Sequence, residues 1–256
     1  MKDIATPVGI VVGLVIIVAA NVLEGGNPMS LLLLPPMLLV LGTTIMVTVA
    51  GGTMSDAKTA ITDMKRAFTG SVEPAEALVP QVVSLAERAR REGLLALEDS
   101  LREIDDPFLV KGVTMAIDGT DPEDVRDILE AELRAKKRDD KQSAKFFGDA
   151  GAYAPTIGII GTVMGLVHVL ENLATPDELG HLIAGAFVAT LWGVMSANVI
   201  WLPISSRLKR LGELECARME VAIEGVAAIQ AGANPRLVAE KLRSLLPTGT
   251  VEREAA

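Results

Sequence analysis

The sequence predicts an all-α membrane protein: four transmembrane helices, a large helical cytoplasmic domain between helices 2 and 3, and a helical cytoplasmic C-terminal tail. Three observations lead there. Half of the 256 residues are apolar, and four stretches, 4–23, 25–55, 150–170 and 179–206, contain no Asp, Glu, Lys or Arg. Each reaches the length of about 20 residues that a helix needs to cross the hydrocarbon core. Of the 24 Lys and Arg, all but Lys2 lie within 58–145 or from 207 onward, while the connections 24–30 and 171–179 carry acidic residues and no basic one. The positive-inside bias then puts the N-terminus, the middle segment and the C-terminus in the cytoplasm. Finally, no run alternates apolar and polar residues over a useful length, so strands are not expected. The expected division is 1–52 for the first two spans, 53–148 for the cytoplasmic domain, 149–206 for the last two spans and 207–256 for the tail.

The first stretch competes with a signal peptide. Its only preceding basic residue is Lys2, its apolar run is long for such a leader, and no Ala-x-Ala site follows, so a retained helix is expected. A turn at Glu24-Gly25-Gly26-Asn27-Pro28 joins it to the second span over roughly 31–50, which Pro35-Pro36 kinks or delays because proline lacks a helix donor. Gly51-Gly52 ends that span. In the middle segment Thr69-Gly70-Ser71 breaks one helix, and Pro74 opens another that runs to about Arg91. That helix carries Leu78, Val82, Leu85 and Ala89 on one face. Asp121 can cap the next helix, with Pro122 at its first position. Val125, Ile128, Leu129 and Leu133 form its apolar stripe, and it is expected to continue through Phe146-Phe147 into the third span. The tail is helical from about Ser205 to Gln230 and closes with a short helix after Gly232-Ala233-Asn234-Pro235.

Composition excludes several functions. A net charge of −9, mostly in the cytoplasmic middle, argues against nucleic-acid binding. A single cysteine, Cys216, allows no intramolecular disulfide. With two histidines, His168 and His181, and no phosphate loop or nucleophile arrangement, neither an enzyme nor a resident cofactor or metal is expected.

The third and fourth stretches are unlike plain lipid-facing helices. Gly161 and Gly165 form a Gly-x-x-x-Gly pair, with Gly158 seven residues before Gly165; Gly185, Ala189, Gly193 and Ala197 recur every four residues. Small residues at this spacing let helix backbones approach closely. Thr162 lies one turn from Gly158 and Gly165, and Thr190 borders the smooth face of the fourth stretch. Pro155 and Pro203 lie nearby. Helix packing alone and a polar path through the membrane both fit this pattern. No Asp, Glu, Lys or Arg lies in any stretch, and ion translocation usually needs an ionisable partner, often a carboxylate. If this chain conducts, a second subunit is expected to bring the carboxylate.

The segments Ala154-Pro-Thr-Ile-Gly-Ile-Ile-Gly-Thr-Val-Met-Gly-Leu-Val167, Ala189-Thr-Leu-Trp-Gly-Val-Met-Ser-Ala-Asn-Val-Ile-Trp-Leu-Pro203, Glu224-Gly-Val-Ala-Ala-Ile-Gln-Ala-Gly-Ala-Asn-Pro-Arg236 and Arg90-Arg-Glu-Gly-Leu-Leu-Ala-Leu-Glu98 resemble the flagellar motor stator subunits of the MotA/PomA family over essentially the full chain. The resemblance implies a torque generator: five such subunits around two copies of a single-span MotB or PomB partner that supplies a membrane aspartate. H+ or Na+ flow is then coupled to motion against the rotor protein FliG. It implies ion-path roles for Pro155, Thr162, Thr190 and Pro203, and rotor contact for Arg90 and Glu98. An uninterrupted helix would set those two charges about 80° apart, although Gly93 intervenes. The basic cluster Lys136, Lys137, Arg138, Lys141 and Lys145 would meet the rotor, lipid headgroups or solvent. A threonine at 162 resembles sodium-driven members. Alternatives are an ExbB/TolQ-like energiser, which typically has one span before the cytoplasmic domain, and a non-conducting membrane scaffold.

Overall fold

A computed structural model of the chain describes residues 4–246; Lys2 and the tail beyond Leu246 lie outside them. The described residues contain eight α-helices and no strand. In order these are α1 (Ala5–Leu23), α2 (Leu34–Ala50), α3 (Met54–Thr69), α4 (Leu78–Glu92), α5 (Pro107–Ile117), α6 (Pro122–Glu171), α7 (Pro176–Gln230) and α8 (Pro235–Ser244). The chain divides into two compact units. One comprises the chain to Ser71 with Asp140–Arg210, the other Val72–Asp139 with the chain from Leu211.

In the first unit, α1, α6 and α7 are each long and apolar enough to cross a membrane. Helix α1 has no buried residue, and Val8, Val11, Val12, Val15 and Ile16 point outward on several sides. A helix that is apolar all round without being buried is matched to lipid rather than water. Helix α2 is shorter than the expected second span. A 3-10 turn, Pro28–Leu31, precedes it, and the helix begins at Leu34 with Pro35 and Pro36 in its first turn. Proline is tolerated there because first-turn N–H groups have no intrahelical acceptor, so the pair delays the helix instead of kinking it. A π-helical segment, Leu38–Gly42, follows. Thr53 and Asp56 form a reciprocal capping box at the start of α3: Thr53 N–H donates to Asp56 Oδ2 at 2.8 Å and Asp56 N–H to Thr53 Oγ1 at 3.3 Å. The Thr53 N–H and the Thr53 hydroxyl, both donating to Oδ2, hold the Asp56 carboxyl below its ordinary pKa. The core of this unit gathers Ala60, Phe147, Ala154, Trp201, Ile204 and Leu208, with the Phe147 and Trp201 rings stacked at 6.5 Å.

The second unit is built on the apolar face of α4. Leu78, Val82, Leu85 and Ala89 are all buried, as their spacing predicts, and pack with Leu109, Val113, Val226, Ile229 and Leu242. Asp106 caps α5 through Oδ1, accepting from Phe108 and Leu109 N–H at 3.0 and 2.9 Å, while its Oδ2 accepts from Arg218 Nε at 2.6 Å. Val125, Leu129 and Leu133 of α6 are buried, but Ile128 is exposed, so the apolar stripe is narrower than its sequence spacing suggested. Cys216 is buried.

Helix α6 runs without interruption from Pro122 through Phe146-Phe147 to Glu171, so one helix contributes to both units. Helix α7 does the same, and a π-helical segment, Ala197–Trp201, lies within it.

Candidate functional site

Helices α6 and α7 form an antiparallel hairpin whose register is set by small residues. Gly158 faces Gly193, Gly161 faces Ala189 and Gly165 faces Ala186. A Cβ on Gly158 would stand 2.9 Å from the Ala189 carbonyl oxygen and 3.2 Å from the Gly193 Cα, and one on Gly193 would stand 2.7 Å from the Ala154 carbonyl oxygen. These backbones touch because neither residue has a side chain. Gly185 departs from the packing role expected of it: a Cβ there meets nothing within 4 Å. It borders a cavity of about 450 Å³ that His168, His181, Pro35 and Pro36 also line.

The close approach brings Thr162 of α6 and Thr190 of α7 into direct hydrogen-bond contact. Thr162 Oγ1 lies 3.1 Å from the Gly158 carbonyl oxygen of its own helix and 3.1 Å from the Ala186 carbonyl oxygen of the facing one; Thr190 Oγ1 lies 3.5 Å from Gly158 O. Two hydroxyls supply two protons. One proton joins the hydroxyls and the other reaches one carbonyl at a time, so four oxygens share two donors. The cluster is uncharged and rich in lone pairs, half-buried between apolar helices. Oxygens so arranged can ligate a hard cation or exchange a proton through the hydroxyls.

The two prolines sit further along the same hairpin. Pro155 is accommodated inside α6. It has no N–H for the Gly151 carbonyl, and its ring crowds that oxygen. A Cβ on Gly151 would meet Leu202 Cδ2 at 2.7 Å, so this weakened turn packs against the residue preceding Pro203. Pro203 in turn follows the π-helical segment that contains Val199, the residue whose carbonyl its ring would crowd. Ser205 Oγ donates to the Ala144 carbonyl at 2.6 Å and ties the two helices together beyond the prolines.

Sequence spacing did not reveal the cross-helix acceptor Ala186 or the bond from Trp192 Nε1 to the Leu31 carbonyl at 2.7 Å. The only signal for the latter was an indole that needs an acceptor when partly buried.

Arg90 and Glu98 lie in the second unit, and both are exposed. Helix α4 ends before the second of them. Gly93 adopts φ +86°, a left-handed value that favours glycine, and a 3-10 turn, Leu94–Leu97, follows. Neighbouring Arg88 is engaged, donating to Ser100 Oγ at 2.6 Å and Glu92 Oε2 at 3.3 Å. The basic cluster on α6 is less available than its sequence suggested. Lys136 pairs with Glu215, Lys137 with Glu220 and Lys145 with Asp149, at 2.6, 2.7 and 2.6 Å. The hydrogen bonds to Glu220 and Asp149 raise the Lys137 and Lys145 pKa values. Among the described residues no cluster of His, Cys, Asp and Glu could hold a metal ion.

Fold and site together describe a helical membrane protein with an oxygen cluster enclosed by a glycine-packed hairpin. Residues 100–221 match the MotA/TolQ/ExbB proton channel family. Motility protein A of Bacillus subtilis (strain 168) is 37% identical over 96% of this chain and 91% of its own, and chemotaxis protein PomA of Vibrio alginolyticus is 32% identical over 96% of each. A chain of the flagellar MotAB stator complex from Bacillus subtilis superposes with a TM-score of 0.90 at 36% identity, covering 98% of this chain and 100% of that one. The chain belongs to the MotA/TolQ/ExbB proton channel family and is a stator subunit of the flagellar motor, an ion-channel component and not an enzyme.

Proposed function

We propose that the α6–α7 hairpin forms the subunit's wall of the ion path. A single-span MotB- or PomB-type partner supplies the membrane aspartate. The observation that carries this reading is the Thr162–Thr190 oxygen cluster, held between two uncharged stretches that themselves contain no carboxylate. Such a site can ligate or pass an ion but cannot balance its charge, so the anionic group comes from outside the chain. The relative solved as a MotAB stator complex supports that partnership.

Four spans with both termini cytoplasmic fit the charge distribution. Helix α2 has 17 residues, at the short end of the spanning range of about 17–25. Assembly as a pentamer, with exposed Arg90 and Glu98 meeting the rotor protein FliG, extends this reading. The transported ion is H+ or Na+. The four-oxygen cluster favours Na+, which prefers hard oxygen ligands. The basic cluster on α6 is left out of the rotor contact because three of its lysines are satisfied within the chain.

The test is ion flux into vesicles carrying the chain and a partner with the membrane aspartate. Wild type conducts, and the Thr162→Val/Thr190→Val variant loses at least tenfold of its flux while inserting normally. Unchanged flux overturns the ion-path assignment, and full swimming speed in sodium-free buffer overturns the choice of sodium.

A further inference from the structure

Helix α3 follows α2 after Gly51, Gly52 and Thr53, and Thr53 is extended at φ −114° and ψ 159°, so the chain leaves the axis of α2 before the new helix begins. Two sets of contacts fix the direction of α3. Near its start Asp56 meets Gln142 and Lys145 of α6, and near its end Arg66 Nη1 donates to Asp140 Oδ1 at 2.8 Å. From Asp56 to Arg66 the helix advances about 15 Å, whereas the partners on α6 span at most about 7.5 Å. Helix α3 therefore lies obliquely across α6 instead of running along it. The crossing falls shortly before the uncharged stretch of α6 opens at Ala150, at the cytoplasmic border of that span. Ala60 and Ala67 pack into the core of the first unit with Ala144 and Phe147. The rest of the helix is sorted by chemistry. Met54, Ala57, Ile61, Met64 and Phe68 fall within an arc of about 80°. Met54 and Ile61 leave 66% and 76% of their surface exposed. Lys58 and Lys65 edge that arc, and among the described residues neither pairs with a carboxylate. Asp56 and Asp63, the acids of this helix, lie more than about 100° from the middle of the arc.

An apolar edge that runs the length of a helix, bordered by free cations and lying across the end of a span, matches the boundary between acyl chains and headgroups. We propose that α3 is an interfacial helix that docks on the anionic lipid surface of the cytoplasmic leaflet. Met54, Ile61 and Met64 enter the acyl boundary, and Lys58 and Lys65 reach the lipid phosphates. Lysine suits that place because its apolar stem lies along the buried edge while its ammonium group stays among the headgroups. The charge selects the surface: a protein neighbour would need carboxylates placed opposite both lysines, whereas the cytoplasmic leaflet presents anions throughout that depth. The oblique crossing keeps the edge at one depth, since a helix running away from the membrane would carry Phe68 about 21 Å beyond Met54. Arg66 and the two buried alanines hold the helix from the other side, so the apolar edge cannot turn inward. This inference rests on the membrane-spanning reading of α2 and α6.

The experiment is photolabelling of the full chain in vesicles that contain equal amounts of phosphatidylglycerol and phosphatidylcholine, one of the two carrying a diazirine in its acyl chain, with adducts mapped by mass spectrometry. Adducts are expected on Met54, Ile61 and Met64 and not on Thr59, which faces away from the apolar arc. Phosphatidylglycerol should label these positions roughly threefold more than phosphatidylcholine, and Lys58→Gln/Lys65→Gln should bring the two lipids to equal labelling. Ile61→Asp should lower labelling of α3 and leave that of α1 unchanged. Labelling of α1 without labelling of α3 overturns the proposal, as does equal labelling of α3 by the two lipids in wild type. A preference that survives the double substitution overturns it as well. So does a photo-cross-linking residue in place of Ile61 that captures a second protein chain in the native membrane, because protein then covers the edge. Absence of adducts from α1 as well would instead remove the membrane-spanning reading itself.

Discussion

At the scale of single residues, the hairpin depends on two atoms that are missing. Gly158 and Gly193 bring α6 and α7 into backbone contact, and the nearest obstacles to an added methyl group are main-chain atoms at 2.7–3.2 Å. Overpacking a tight contact costs about 1–3 kcal/mol. Gly193→Ala is expected to lower the thermal unfolding midpoint in detergent by several degrees and to reduce motility, whereas Gly185→Ala, whose methyl group meets open space, should leave both unchanged. In the proposed ion path the hydroxyl is the atom of Thr190 that acts. Thr190→Val should lower ion flux more than Thr190→Ser, with equal membrane insertion, because serine retains the oxygen and valine retains only the shape. Both threonines and four of the five glycines could be read from small-residue spacing, since that spacing repeats with the helix. The partners across the hairpin could not. Which carbonyl faces Thr162 depends on how the small-residue faces of the two helices come into register, and no local pattern encodes it.

At the scale of elements, Pro155 interrupts the hydrogen-bond ladder of a helix 50 residues long. Pro155→Ala would restore a donor to the Gly151 carbonyl and stiffen that turn. The expected outcome is normal insertion with rotation slowed or abolished, read from tethered cells; normal torque would remove Pro155 from the mechanism. In the second unit Glu224 joins three helices by pairing with Arg126 of α6 and Lys241 of α8. Burial raises its pKa, but the Lys241 and Arg126 charges outweigh burial and hold it below the ordinary carboxylate value. A depressed folded-state pKa adds stability that is fully present above the unfolded value of about 4.5 and is lost as pH falls through the folded value. The protection of α8 amides from hydrogen exchange, taken relative to the intrinsic rate at each pH, should therefore fall as the medium is acidified below about pH 4.5, and Glu224→Gln should flatten that dependence. The sequence showed that α6 and α8 exist, through Asp121, Pro122 and Asn234-Pro235 at their starts. It did not show that charges on α6, α7 and α8 converge, because those residues are far apart along the chain.

For the whole molecule, the membrane class was legible because lipid imposes a length and a charge rule that a sequence cannot disguise. The second span was legible only in part. Pro35-Pro36 marked a disturbance, but whether proline kinks a helix or starts it depends on where the preceding turn ends. Exposed charge was also harder to read than buried apolar pattern. Arg88, Arg90 and Arg91 look alike in sequence, yet Arg88 is committed to Ser100 and Glu92 while Arg90 is solvent-exposed. Arg90→Glu is expected to impair swimming while leaving ion flux intact. A compensating charge reversal on the rotor should partly restore swimming, and the failure of every such pairing would remove Arg90 from the contact.

The burial of Cys216 has a practical consequence. It is the only cysteine in the chain, and it lies within the packed core of the second unit. A cysteine introduced at an exposed position such as Arg90 or Glu98 would be the one thiol that a water-borne maleimide reaches without unfolding. The native sequence is thus already a background for single-site fluorophores and spin labels, in which distances could be followed while the motor turns.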